Sequence, residues 1–159
     1  MPKPDFIIRA TLRITILLFI LLPSFPAIAL SADSPRFTDN GDGTVTDNKT
    51  RLIWAASDNG KDIDFEDATS YCESFSAGGF TDWRLPDIEE LKNLFEASNM
   101  NADGLGITGK IKLSSCCPWS SYDSTGVSSL LDFRTGKEIW SYKGDKELLR
   151  VLPVRGEEQ

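Results

Sequence analysis

The residues best equipped for chemistry in this 159-residue chain are three cysteines, Cys72 and the adjacent pair Cys116 and Cys117, together with 24 Asp+Glu. There is no histidine. That excludes every Ser-His and Cys-His arrangement, because histidine is the side chain whose ordinary pKa suits proton transfer at neutral pH. Paired carboxylates can run glycoside hydrolysis, but nothing in the sequence sets two acids apart from the others. Three cysteines without a histidine fit no standard zinc spacing. The prediction is therefore no catalytic residue, no metal ligand set and no cofactor.

Adjacent cysteines rarely bond to each other, since the bridge strains the peptide between them. In an exported chain a disulfide is the default, so Cys72 is expected to pair with Cys116 or Cys117, leaving one thiol free. Such a bridge would close a loop of about 45 residues and contribute about 3–4 kcal/mol. The acids cluster twice. "DNGDG" at 39–43 fails the calcium-loop pattern, because position 6 from Asp39 is Thr44 and position 12 is Thr50. It reads better as a hairpin turn. Asp58, Asp62, Asp64, Glu66 and Asp67 read as a solvated loop and an acidic helix start rather than an ion site. "NKT" at 48–50 also fits a glycosylation acceptor.

The aromatic residues are the better candidates for contact with a ligand. Trp119, Tyr122, Trp140 and Tyr142 could form a stacking surface for a sugar or a protein. Trp54 and Trp83 are assigned to the core.

The ends set the compartment. Lys3, Arg9 and Arg13 precede the apolar run "ITILLFILL", and Ala27 and Ala29 supply a small-residue cleavage site. Residues 1–29 read as a secretory signal peptide, too short in its apolar run to span a bilayer. Residues 30–159 then form one domain, exported to the periplasm or beyond, with no stable membrane insertion. Cleavage removes three bases and Asp5, leaving 14 basic against 23 acidic residues and a net charge of −9. That field disfavours nucleic acid, anionic lipid and sulfated polysaccharide as partners.

The elements that must position these side chains follow from periodicity. "PRFTDNGDGTVTDNKTRLIW" (35–54) reads as three short strands joined by tight turns. In 57–79, Phe65, Ala68, Tyr71, Cys72 and Phe75 recur at helical spacing, with Asp64 as N-cap and Gly78 and Gly79 ending the helix. "GGFTDWRLPDIEEL" (78–91) opens a second helix, with Asp87 and Glu90 as a capping box and Ile88, Leu91, Leu94 and Phe95 on one face. Arg84 is expected to tie a nearby carboxylate or carbonyl. Residues 98–115 look like loop. "CCPWSSYD", "VSSLLDF", "KEIWSY" and "ELLRVLPVR" read as strands of a closing antiparallel meander. Hairpins, two helices, a long loop and a meander make an α+β domain.

"NGDGTVTDNKTRLIW", "YC", "GGFTDWRLPDIEEL", "WSS" and the closing "VRG" resemble, in this order, the Lcl C-terminal domain family of exported bacterial domains of unknown function. "WRLP" before an acidic helix start is also similar to the formylglycine-generating enzyme. Together these resemblances imply a C-type-lectin-like domain, built on an antiparallel sheet with β-hairpins and two helices. Family members often end "RCVRG", where this chain has "LPVRG". Pro153 thus replaces the usual partner of the helix cysteine. The family's namesake is an adhesin domain linked to sulfated glycosaminoglycans, a ligand class that sits badly with a charge of −9 here. The cysteine pair of the formylglycine enzyme is spaced by a few residues, which "CC" does not reproduce. The lectin calcium motif "WND" is also absent, since Ser120 and Ser121 follow Trp119. The expectation is a non-catalytic binding module for a glycan or protein, with a homo-oligomeric assembly domain as the alternative.

Overall fold

The structure, a computed structural model, describes residues 35–157. The signal-peptide reading of 1–29 lies outside the described residues. Three short strands open the fold: β1 (Phe37–Asp39), β2 (Thr44–Asp47) and β3 (Ile53–Ala55), all antiparallel, with Val45 opposite Trp54. The turns form as their chemistry dictates. Gly41 and Gly43 take positive φ, and Asp39 and Asp42 accept hydrogen bonds from the backbone of Gly41 and Thr44. Those carboxylates serve the hairpin.

Helix α1 (Phe65–Ser74) begins at Asp64, whose side chain accepts from the Asp67 amide at 2.8 Å. It ends at Phe75, earlier than expected. Gly78 and Gly79 belong to a separate short 3-10 turn at Ala77–Gly79, with φ of 63° and 74°. Helix α2 (Ile88–Leu94) carries the full capping box: Asp87 accepts from the Glu90 amide, and Glu90 accepts from the Asp87 amide, both at 2.7 Å. Leu91 and Leu94 are buried, while Ile88 and Phe95 pack at the edge of the core.

The second half departs from a simple meander. Strands β4 (Cys117–Ser124), β5 (Val127–Asp132) and β6 (Lys137–Tyr142) are antiparallel neighbours. The expected last strand instead divides in two. Strand β7 (Leu149–Arg150) pairs parallel with β4, and β8 (Val154–Arg155) pairs antiparallel with β3. Two four-stranded sheets result, ordered β1-β2-β3-β8 and β6-β5-β4-β7. Pro153 lies between the two short strands; it has no amide hydrogen to donate to a ladder. The chain end thereby ties the two sheets together.

One core joins both sheets. Val45 and Trp54 of the first sheet, Trp119 and Leu130 of the second, Cys72 of α1 and Leu91 of α2 belong to the same buried cluster. The 98–115 segment contributes Leu105, Ile107, Ile111 and Leu113, all buried, although it forms no helix or strand. Asp58 anchors it by accepting from the Ser114 amide and hydroxyl at 2.6 and 2.9 Å. The β5–β6 turn needs glycine: Gly136 has φ 70°, and a Cβ there would overlap the Phe95 ring. Among the described residues, no helix is long and apolar enough to cross a membrane.

Candidate functional site

The four aromatic residues proposed as a stacking surface separate in the structure. Trp119 is fully buried; its indole Nε1 donates to the Ile63 carbonyl at 3.0 Å and its ring meets Phe65 edge-on at 5.7 Å. It is a core residue, and its assignment to a ligand surface is corrected. The reason is register. Strand pairing puts Trp119 opposite Leu130, also fully buried, before an irregularity between Trp119 and Asp123. Inward and outward positions on β4 thus cannot be assigned by counting alternate residues from sequence.

The other three assemble. Trp140 and Tyr142 are two apart on β6, so both point to the same side of the sheet. Tyr122 meets Trp140 edge-on, with ring centroids 5.1 Å apart. Their relative exposures are 50, 54 and 71 % for Tyr122, Trp140 and Tyr142. Glu138 shares that side and marks where cover ends: it pairs with Lys92 of α2 at 3.1 Å. Beneath Trp140, on the neighbouring strand, Ser129 is buried and shares a 2.6 Å hydrogen bond with the Ser120 hydroxyl. Ser128 donates to the Tyr122 carbonyl. Ser129, on the same side of the sheet as Trp140, and the Ser120 hydroxyl bonded to it thus form a polar bed beside the aromatic rings. Asp145 pins the turn after β6, accepting from the Ser141 hydroxyl at 2.6 Å and the Tyr142 amide at 3.1 Å. Trp140, Tyr142, Val127 and Asp145 line a shallow recess of about 350 Å³. Sequence reasoning misses Asp145, because nothing local says that the acid in the turn after β6 borders the aromatic face.

A second concavity, about 600 Å³, lies beside α1 and includes Cys72, Glu73, Trp83, Arg84, Asp87 and Ser121. Several of its polar groups are already engaged. Arg84 holds the buried Glu90 carboxylate through two bonds of 2.7 and 2.6 Å and donates to the Gly156 carbonyl at 2.8 Å. Glu90 keeps the Arg84 guanidinium charged, raising its pKa against the effect of burial. The expected structural role of Arg84 is therefore met. Asp87 is committed to capping α2. Trp83 is buried as expected, and its indole nitrogen, like that of Trp54, meets no hydrogen-bond partner among the described residues.

The cysteines differ from expectation. Cys116 and Cys117 bond to each other, and Cys72 is a buried free thiol. The predicted pairing of Cys72 with Cys116 or Cys117 is corrected. Strand β4 begins at Cys117 with its backbone paired to Leu149, while Cys72 faces the core from α1. Burial, reinforced by the charge of Glu73, pushes the Cys72 thiol up to about 12, so it stays protonated at neutral pH.

Asp58, Asp62 and Asp64 are likewise engaged within the fold. Asp62 pairs with Arg150, and Asp64 pairs with Lys146 at 2.8 Å. The hydrogen bond from Lys146 and that from the Asp67 amide hold the Asp64 carboxyl below its usual range.

The α+β architecture, the capped "DWRLP" helix start and the aromatic strand face thus describe a small domain whose recognisable stretch is structural. The model of the Lcl C-terminal domain matches residues 43–155, and the chain belongs to that family. Comparison with curated proteins finds no match.

Proposed function

We propose that the chain is an exported, non-catalytic binding module that lays the Tyr122–Trp140–Tyr142 face against a glycan, on a C-type-lectin-like scaffold. The observation that carries this reading is the grouping of three exposed aromatic rings, one on β4 and two on β6, with the Tyr122 and Trp140 rings meeting edge-to-face across β5. An exposed aromatic recess bordered by a carboxylate suits a sugar ring, which stacks its C–H face on one aromatic ring and hydrogen-bonds at its rim. The net charge favours a neutral glycan over a sulfated one. Absence of histidine and a thiol held protonated support a non-catalytic role.

The test is titration of the mature protein against a panel of neutral oligosaccharides, with Trp140→Ala beside it. Binding that falls at least about tenfold in Trp140→Ala, with unchanged melting, supports the proposal. Failure of the whole panel, or undiminished binding by the variant, sinks it.

One observation favours a second reading. Strand β6 is the edge of its sheet and exposes Ile139 beside Trp140. An exposed apolar edge can pair with another copy of itself, which would make the domain an assembly unit. Concentration-dependent association in sedimentation experiments, abolished by Ile139→Lys and unaccompanied by glycan binding, would establish that reading instead.

A further inference from the structure

The vicinal pair has a third neighbour. The sulfurs of Cys116 and Cys117 and a carboxylate oxygen of Asp132 all lie within 4.8 Å of one another. Antiparallel strands bring them together: Cys117 begins β4, Asp132 ends β5, and the Phe133 amide donates to the Cys116 carbonyl at 2.9 Å. The backbone carrying all three is fixed. The Asp132 carbonyl closes the β5–β6 turn by accepting from Gly136 and Thr135 at 2.8 and 3.1 Å. Its carboxylate is oriented as well, accepting from the Arg134 amide at 2.9 Å, from Arg134 Nε at 3.3 Å and from the Thr135 hydroxyl at 3.2 Å. A carboxylate has about four acceptor positions, so these three bonds leave it a further lone pair. Both cysteines are buried, whereas the Asp132 side chain is 18 % exposed, so solvent reaches the cluster from the carboxylate side.

We propose that Cys116, Cys117 and Asp132 form a site for a thiophilic divalent cation, closed by the Cys116–Cys117 disulfide and opened by its reduction. Two sulfurs and one oxygen suit zinc or cadmium, which take mixed thiolate and carboxylate ligands, and do not suit magnesium or calcium. Opening requires a dithiol reductant. It supplies two electrons, the S–S bond breaks, each sulfur takes a proton, and the reductant leaves as its own disulfide. Metal then displaces both thiol protons as the two metal–sulfur bonds form. The reduced pair is held ready for this by the strand frame, which does not depend on the bridge: the Cys117–Leu149 pairing and the Phe133–Cys116 hydrogen bond are main-chain interactions. Cys72, buried and protonated, takes no part.

The test uses the mature chain reduced with a dithiol, freed of it by gel filtration under argon, and titrated with cadmium. The readout is the ultraviolet thiolate-to-cadmium charge-transfer band, with near-ultraviolet circular dichroism reporting the fold. The reduced protein is expected to keep its fold and bind one cadmium. The oxidised protein should give no band. Cys117→Ser should lose the band, Cys72→Ala should retain it, and Asp132→Asn should weaken affinity about tenfold. Three results overturn the proposal: no band in the reduced protein, collapse of its near-ultraviolet signal on reduction, or loss of the band in Cys72→Ala. Peptide mapping that places Cys72 in the native bridge overturns it as well.

Discussion

Residues 82–91 and the outer face of β4–β6 are both rich in aromatic and polar side chains, yet they use them in opposite ways. In the first region almost every group is consumed internally. Trp83 packs edge-on against Phe75 at 5.1 Å, Arg84 and the buried Glu90 bind each other, and Asp87 caps α2. Asp82 holds Arg155 of β8 at 2.7 Å, and the hydrogen bond from that arginine keeps its carboxyl below its usual range. In the second region the serine hydroxyls beside the rings are paired, while the rings themselves are left to solvent. The distinctive stretch is therefore a clamp: through Arg84 and Asp82 it binds the segment that carries β8 into the first sheet. The plainer strands carry the surface that is free to bind.

Substitutions sharpen the contrast, and the largest effect should come from the aromatic residue that changed sides. Trp119→Ala should cost about 3–5 kcal/mol in denaturant unfolding, because a fully buried indole leaves a cavity and orphans the Ile63 carbonyl. A cost under about 1 kcal/mol would return Trp119 to the surface group. Arg84→Ala should cost about 3 kcal/mol by stranding the buried Glu90 carboxylate. An unchanged stability with lost ligand binding would turn the clamp into a site.

Asp47 provides a pH-dependent case. Burial pushes its pKa up, but hydrogen bonds from Arg36 and the Lys49 amide prevail and hold it below the usual range. A carboxyl depressed in the folded state stabilises at pH values above its unfolded pKa, and that contribution disappears as pH falls through the folded value. Asp47→Asn should therefore cost about 2 kcal/mol at pH 7, with the difference from wild type closing below about pH 4. A difference that stays constant to pH 2 would refute this linkage. Asp87→Ala should cost about 1 kcal/mol through loss of the cap. At the other extreme, Trp140→Ala and Tyr142→Ala should change stability by no more than about 0.5 kcal/mol while weakening glycan binding. A large loss of stability in either would erase the contrast between the regions.

Much of the clamp was legible in the residues themselves. The capping box, the Glu89–Lys92 pair at 2.8 Å, and the first three strands with their glycine turns are local arrangements that sequence spacing specifies directly. The aromatic face was legible only in part. Tyr122, Trp140 and Tyr142 were identified, but so was Trp119, since residue type alone does not say which side of a strand a ring takes. The segment 98–115 looked like a surface loop because its apolar residues lack a period. It is nevertheless a core element, held by Asp58 and by contacts distant in sequence.

Sequence by itself determined the elements whose causes lie within a few residues: caps, turns, helix faces and the strands of the hairpins. Only tertiary structure decided the partners. It joined Cys116 to Cys117 rather than to Cys72, drew β7 and β8 into different sheets, and turned Trp119 inward. Each of those outcomes depends on strand register and on which distant segments the core brings together. Such pairings are set by the packing of the whole chain, and no local spacing encodes them.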